Sequence, residues 1–115
     1  MSNDPRDVAA TYFRAWQARD FDTLASILRD GVTFRGPLGA ADGVQECLAG
    51  LRGMAQGITE IRVLKMWVDG PDVLTWYDLH TAGAPPAPTA NWMHVEDGGI
   101  ARIRATFDPR DLLAS

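Results

Sequence analysis

Five residues of this 115-residue chain stand out as candidates for chemistry by their type and place in the pattern: Tyr12, Cys47, Asp78, His80 and Asn91. Asp78 and His80 stand two apart in Trp76-Tyr77-Asp78-Leu79-His80. On a strand they would share one face with Trp76. Facing a core, a carboxylate beside an imidazole forms an acid/base pair with shifted pKa values. With Tyr77 and Leu79 inward instead, the same two residues are an ordinary exposed pair. Tyr12 falls on the apolar face of a helical pattern, where a tyrosine either lines a pocket or fills a core and finds a partner for its hydroxyl. Asn91 alternates with Met93 and Val95, so a buried amide there must be satisfied by protein or by ligand. Cys47 has no basic neighbour and reads as a small buried hydrophobe rather than a nucleophile. With one cysteine and two histidines, His80 and His94, neither a disulfide nor a structural zinc site is expected. No phosphate loop or metal-ligand spacing is present, so no cofactor and no metal are expected.

The elements that must position these groups follow from pattern. Asp4-Pro5 reads as an N-cap followed by proline at the first helical position. Val8, Tyr12 and Trp16, with Ala9 and Phe13 beside them, then give an amphipathic helix ending near Arg19. Asp20 caps a short second helix that buries Phe21, Leu24 and Leu28 and is ended by Asp30-Gly31. Val32 to Gly36 is a short strand leading into the tight turn Gly36-Pro37-Leu38-Gly39. Asp42 with Gln45 resembles a capping box for a third helix running to about Leu51. Ile58 to Val68, apolar on both faces, predicts a central strand, and Asp69-Gly70-Pro71-Asp72 turns it into Val73 to Thr81. Gly83 to Pro88 carries three prolines and is expected as a loop. Ala90 to Phe107 is a hairpin around Asp97-Gly98. Its inner face carries Asn91, Met93 and Val95, then Ala101, Ile103, Ala105 and Phe107. Arg102, Arg104 and Thr106 face the other way.

Helices first and antiparallel strands last indicate one α+β domain spanning residues 1–115. Three helices cannot cover both faces of a strongly curled sheet, which predicts a half-open cone with the helices on its concave side and a pocket between. Apolar and charged fractions of 46% and 23% are those of an ordinary soluble protein. A net charge of −4 with no basic stripe argues against nucleic acid. The N-terminus has no apolar signal-like stretch and no run reaches membrane-spanning length, so neither a membrane partner nor export is expected and the cytoplasm is the default. Trp92 and His94 should sit on the convex face. With Arg102, Arg104 and Thr106 they could form a homodimer surface, since an exposed tryptophan is costly.

Tyr12–Leu24, Val32–Gly39, the Asp97-Gly98-Gly99-Ile100 turn and the closing Phe107-Asp108 together resemble the SnoaL-like, ketosteroid-isomerase-like group of the nuclear transport factor two superfamily. The resemblance spans about Val8 to Leu112. It implies a cone-shaped curved sheet, antiparallel or mixed, with three N-terminal helices enclosing a pocket (a cystatin-like α+β barrel), and pairing through the sheet. Tyr12 falls where the isomerases place an oxyanion donor. Asn91 falls where they carry a protonated carboxyl group and the cyclases a base; it can donate a hydrogen bond but cannot act as a general base. Gly36 occupies the isomerase base position. Asp78 falls near one of the two epoxide-hydrolase aspartates; the other position is Ala105, and the water-holding pair is Phe34 and Gly36. By this register Asp78 turns inward. What the resemblance implies is a protein binding a small hydrophobic molecule, polyketide-, terpenoid- or steroid-like. Cofactor-free isomerisation, cyclisation or epoxide opening would use Asp78 as acid or base, with Tyr12 and Asn91 as donors. Trp16, Phe34, Trp76, His80, Met93, Ile103 and Phe107 would form the wall. The missing carboxylates at 36 and 105 favour the alternative, a non-catalytic ligand-binding or dimeric accessory protein.

Overall fold

A computed structural model describes residues 3–113. Helix α1 covers Pro5–Gln17, and the Asp4 carboxylate at its N-cap accepts the Arg6 N–H at 2.8 Å. Val8, Ala9, Tyr12, Phe13, Ala15 and Trp16 form its buried stripe. Asp20 caps α2, Phe21–Ile27, by accepting from the Thr23 N–H and hydroxyl. This helix is shorter than its pattern predicts: Leu28 already belongs to strand β1, Leu28–Gly36, and Asp30-Gly31 lie inside that strand. A β-region backbone at Leu28 breaks the helix there, because Leu28 pairs with Ile100 of the sheet.

Strand β1 turns through Pro37-Leu38 into β2, Gly39–Asp42, an element with no sequence signal of its own. Helix α3 spans Val44–Ala55, four residues beyond the expected end. Its N-cap is Gly43, and Glu46 rather than Gln45 reaches back to accept the Asp42 N–H at 2.9 Å. Arg19, forced to a positive φ of 57° where the chain leaves α1, donates to the Ala55 carbonyl and so closes the far end of α3. The remaining strands are β3, Ile58–Asp69, β4, Asp72–Thr81, β5, Ala87–Glu96, and β6, Gly99–Thr106, followed by the single turn α4, Arg110–Leu113.

The six strands form one curved, unclosed sheet in the order β2-β1-β6-β5-β4-β3, parallel only between β1 and β6. Strand β3 is therefore an edge and not a centre. On its outer side β3 carries Glu60, Arg62 and Lys65 beside Trp67, and on its inner side Val63 and Val68 stay exposed, so its apolar residues are not the buried ones of a central strand. Bulges interrupt β3 between Ile58 and Glu60 and between Val63 and Lys65. The Gln17 side-chain oxygen accepts its Ile61 N–H at 2.6 Å. Strand β5 starts at Ala87, so Pro88 lies within it. Proline is tolerated because β6 pairing begins only at Ala90, leaving no acceptor for the missing N–H on that side. The Asp97-Gly98 turn has φ of 52° and 80°, the primed geometry that the sequence requires.

Helices α1 to α3 cover the concave face. The core is Tyr12, Phe13, Trp16, Leu24, Ile27, Leu48 and Leu51 from the helices against Val32, Val73, Tyr77, Leu79, Met93, Val95, Ile100 and Ile103 from the sheet. No helix among the described residues is long and apolar enough to cross a membrane.

Candidate functional site

Alternation along β4 puts Val73, Thr75, Tyr77 and Leu79 inside the cone. Asp78, Trp76 and His80 are consequently on the outer face, which corrects the inward register expected for them. The physical reason is the Tyr77 ring, which packs on Phe13 with centroids 4.8 Å apart and claims the inner side. Trp76 is 41% exposed, and Asp78 pairs in register with Arg62 and Pro88. Neither lines the cone. His80 is half-buried and pairs in register with Glu60, and its Nε2 has no partner among the described residues.

The structure buries both Tyr12 and Asn91, and with them Thr75 and Tyr77, which the sequence does not single out as site candidates. Thr75 of β4 and Asn91 of β5 are direct cross-strand partners on the inner face. Tyr77 stands two residues along from Thr75, with its hydroxyl in reach of the Asn91 side chain. Tyr12 enters from α1, packed edge-on to Phe13 and against Trp16. Tyr12, Thr75 and Asn91 are each at most 1% exposed. Their Tyr12 Oη, Thr75 Oγ1 and Asn91 Oδ1 atoms have no hydrogen-bond partner among the described residues. Burial, then the Tyr77 and Cys47 groups, push the Tyr12 hydroxyl well above its ordinary pKa. Burial also raises Tyr77. Both phenols remain protonated donors. The signal for Thr75 and Tyr77 was available in the sequence, since Val73 and Leu79 share their parity.

The protein also holds an apolar chamber of about 240 Å³. Its walls are Phe34, the Gly36–Ala41 hairpin tip, one side of α3 (Glu46, Cys47, Gly50, Leu51, Met54) and Phe107. Phe34 and Phe107 thus sit where a pocket wall was expected, whereas Trp16, Met93 and Ile103 are fully packed core. Tyr12, Thr75 and Asn91 do not line the chamber directly. The connection is through Cys47 and Leu51: Cys47 interacts electrostatically with Tyr12, and the Leu51 carbonyl accepts the Trp16 indole N–H at 3.0 Å. Burial, with Asp42 and Glu46 nearby, pushes the Cys47 thiol up to about 11, so it is a neutral wall residue. Among the described residues Glu46 is the one carboxylate on the lining, and it is engaged by the Asp42 N–H. No cluster of His, Cys, Asp or Glu among the described residues could hold a metal.

The outer face is laid out in rows by the same registers. Asp69, Asp72, His94 and Arg102 form one, Trp67, Leu74, Trp92 and Arg104 the next, and Lys65, Trp76 and Ala90 a third. The Asp72 carboxylate accepts from the Trp92 indole and meets the His94 Nδ1 at 2.8 Å. Those contacts, His94 first, hold it below its ordinary pKa of 3.8.

Comparison with known proteins agrees with this architecture. A protein of Kribbella flavida DSM 17836 superposes with a TM-score of 0.88 at 32% identity, over 94% of this chain and 89% of that one. An NTF2-like protein of unknown function from Cytophaga hutchinsonii ATCC 33406 gives 0.84 at 26% identity, over 98% and 97%. A LEH-like epoxide hydrolase of M. tuberculosis gives 0.78 at 24% identity, over 94% and 85%, a likeness of fold alone. No protein of curated function matches the sequence. The SnoaL-like domain model matches residues 9–103. With that match across most of the chain, the protein belongs to the SnoaL-like family.

Proposed function

We propose that this protein binds a small, mostly apolar molecule in the chamber between α3 and the β1–β2 hairpin, with a hydroxyl or similar oxygen of the ligand directed at Tyr12, Thr75 and Asn91. One observation carries this reading: Tyr12 Oη, Thr75 Oγ1 and Asn91 Oδ1 are buried without partners among the described residues, and Tyr12 interacts with Cys47, a wall residue of the apolar chamber. Each such atom costs about 1–3 kcal/mol when left unmade, and native structures rarely keep several in one place without use. A ligand hydroxyl that enters past the Cys47 and Leu51 wall would donate to the Asn91 Oδ1 and accept from the Tyr12 or Thr75 hydroxyl, so one oxygen would satisfy two of them. Binding is favoured over turnover, because proton abstraction needs a base in reach. Asp78 is on the other face, and Glu46 is held by a backbone N–H. The test is calorimetric titration with a panel of small oxygenated hydrophobes, comparing the wild type with Asn91→Leu. Binding that weakens in the variant supports the reading. A panel without a single binder refutes it, and turnover abolished by Glu46→Gln would replace it with an enzymatic one.

A homodimer through the outer sheet face is part of the same proposal. Trp67, Trp76, Trp92 and Leu74 are each more than 40% exposed in one contiguous patch. Asp69 and Asp72 stand at the β3–β4 side of its first row, with Lys65 two rows along over the Trp67 ring, and Arg102 and Arg104 at its β6 side. A two-fold axis through the tryptophans lays each acidic side on the partner's basic side, the self-complementarity that an isologous contact needs.

A further inference from the structure

The chamber is too small to be the whole site. Its 240 Å³ equals about eight liquid waters at ~30 Å³ each, and falls below the ~300–1,000 Å³ of ordinary ligand sites. It is not closed on its outer side. Leu38 and Met54 line both the chamber and a neighbouring groove of about 490 Å³. That groove runs over Gly53 and Gly57, along the segment Thr81 to Pro85, to Asp111.

Helix α3 carries a glycine in each compartment, Gly50 in the chamber and Gly53 in the groove. Glycine inside a helix is destabilising relative to alanine, and is retained where conformation or close packing demands it. Neither demand applies to these two. Both lie within a regular helix, and a Cβ at either would meet nothing within 4 Å. Both are exposed and each lines its compartment, so a large side chain at either point would narrow that compartment. Leu38, at the hairpin tip between them, is 45% exposed although apolar.

We infer that chamber and groove are two halves of one elongated site, and that the ligand is a chain-like amphiphile rather than a compact ring system. Its oxygenated end is held at the chamber floor, and its apolar chain passes between Leu38 and Met54 to lie along Gly53 and the Thr81–Pro85 segment. This rests on the chamber being a ligand site at all, and the experiment separates the two.

Primary alcohols supply the probe: 1-butanol, 1-hexanol, 1-octanol and 1-decanol, titrated against the wild type, Gly50→Leu and Gly53→Leu. Burying a CH₂ is worth at most about a fourfold gain in affinity, and about twofold where the wall is half open. In the wild type, affinity should rise at every step up to decanol. Gly53→Leu should leave butanol and hexanol unchanged and flatten the series beyond about octanol. Gly50→Leu should weaken every member. Should Gly53→Leu not fold, Leu38→Ser removes the shared wall at an exposed turn and should flatten the series at the same point. If short alcohols bind but the wild-type series levels off, or Gly53→Leu keeps the wild-type length dependence, the elongated site is wrong and the chamber alone stands. If no alcohol binds to any form, both readings fall.

Discussion

Replacing Tyr12 by phenylalanine should make the free protein more stable, an unusual outcome for a fully buried core residue. The Tyr12 hydroxyl is 0% exposed at the residue level and has no partner among the described residues. Removing it relieves a desolvation cost of about 1–3 kcal/mol. The vacated space, on the order of 10 Å³, costs only about 0.2 kcal/mol at ~24 cal/mol per Å³. The ring keeps its packing on Phe13 and Trp16. A net gain of roughly 1–2 kcal/mol raises the melting temperature by about 4–10 °C for a domain of this size. Ligand binding should move the other way. Losing one neutral hydrogen bond weakens affinity by about three- to tenfold. Thermal denaturation and titration of the same two samples check both halves. A Tyr12→Phe variant less stable than wild type by 1 kcal/mol or more would refute the reasoning. It would mean that the hydroxyl is already satisfied in the free protein and is not held in reserve.

Three further outcomes are expected. Asp72 has a depressed pKa in the folded state, so it contributes stability above its ordinary value of 3.8 and loses that contribution as pH falls through the folded value. Asp72→Asn should be less stable than wild type near pH ~6, and the two denaturation curves should converge in acid; an offset independent of pH would show that the His94 contact does not act through charge. Asp78→Asn, on the outer face, should change ligand affinity less than about twofold and stability by at most ~0.5 kcal/mol, measured by titration and chemical denaturation. Trp76→Glu should convert a dimer to a monomer in sedimentation velocity with its far-UV circular dichroism intact; an unchanged sedimentation coefficient would place the contact elsewhere.

The parts of this molecule that could be read from sequence are those specified by local chemistry. The Asp4-Pro5 and Asp20 helix starts, the Asp97-Gly98 turn and the two faces of the last hairpin depend on neighbours a few residues apart, and all are found. The parts misplaced depend on what lies across space. Ile58 to Val68 looks central because it is rich in apolar residues, and only the strand order reveals an edge on which Val63, Leu64, Trp67 and Val68 stay exposed. Leu28 continues a helical spacing and yet pairs with Ile100, seventy-odd residues away in the chain. At the site, Tyr12 and Asn91 were found because each is a polar residue on an apolar face. Asp78 turns inward by the family register but outward by the parity of Val73, Tyr77 and Leu79, and the packing of the Tyr77 ring on Phe13 decides for the latter. Gly50 and Leu38 carry no chemical group to notice, and a cavity leaves no trace in composition.

The Gln17 side chain on the Ile61 N–H limits what this protein can assemble into. A twelve-residue edge strand next to three exposed tryptophans is a template on which further strands could add without end. With one edge donor occupied from α1 and two bulges breaking the spacing of the rest, an incoming strand finds no continuous ladder. The dimer proposed through the flat of the sheet, by contrast, is an isologous contact that closes at two copies. A glutamine far from any ligand thus helps keep a sticky surface from seeding a fibre.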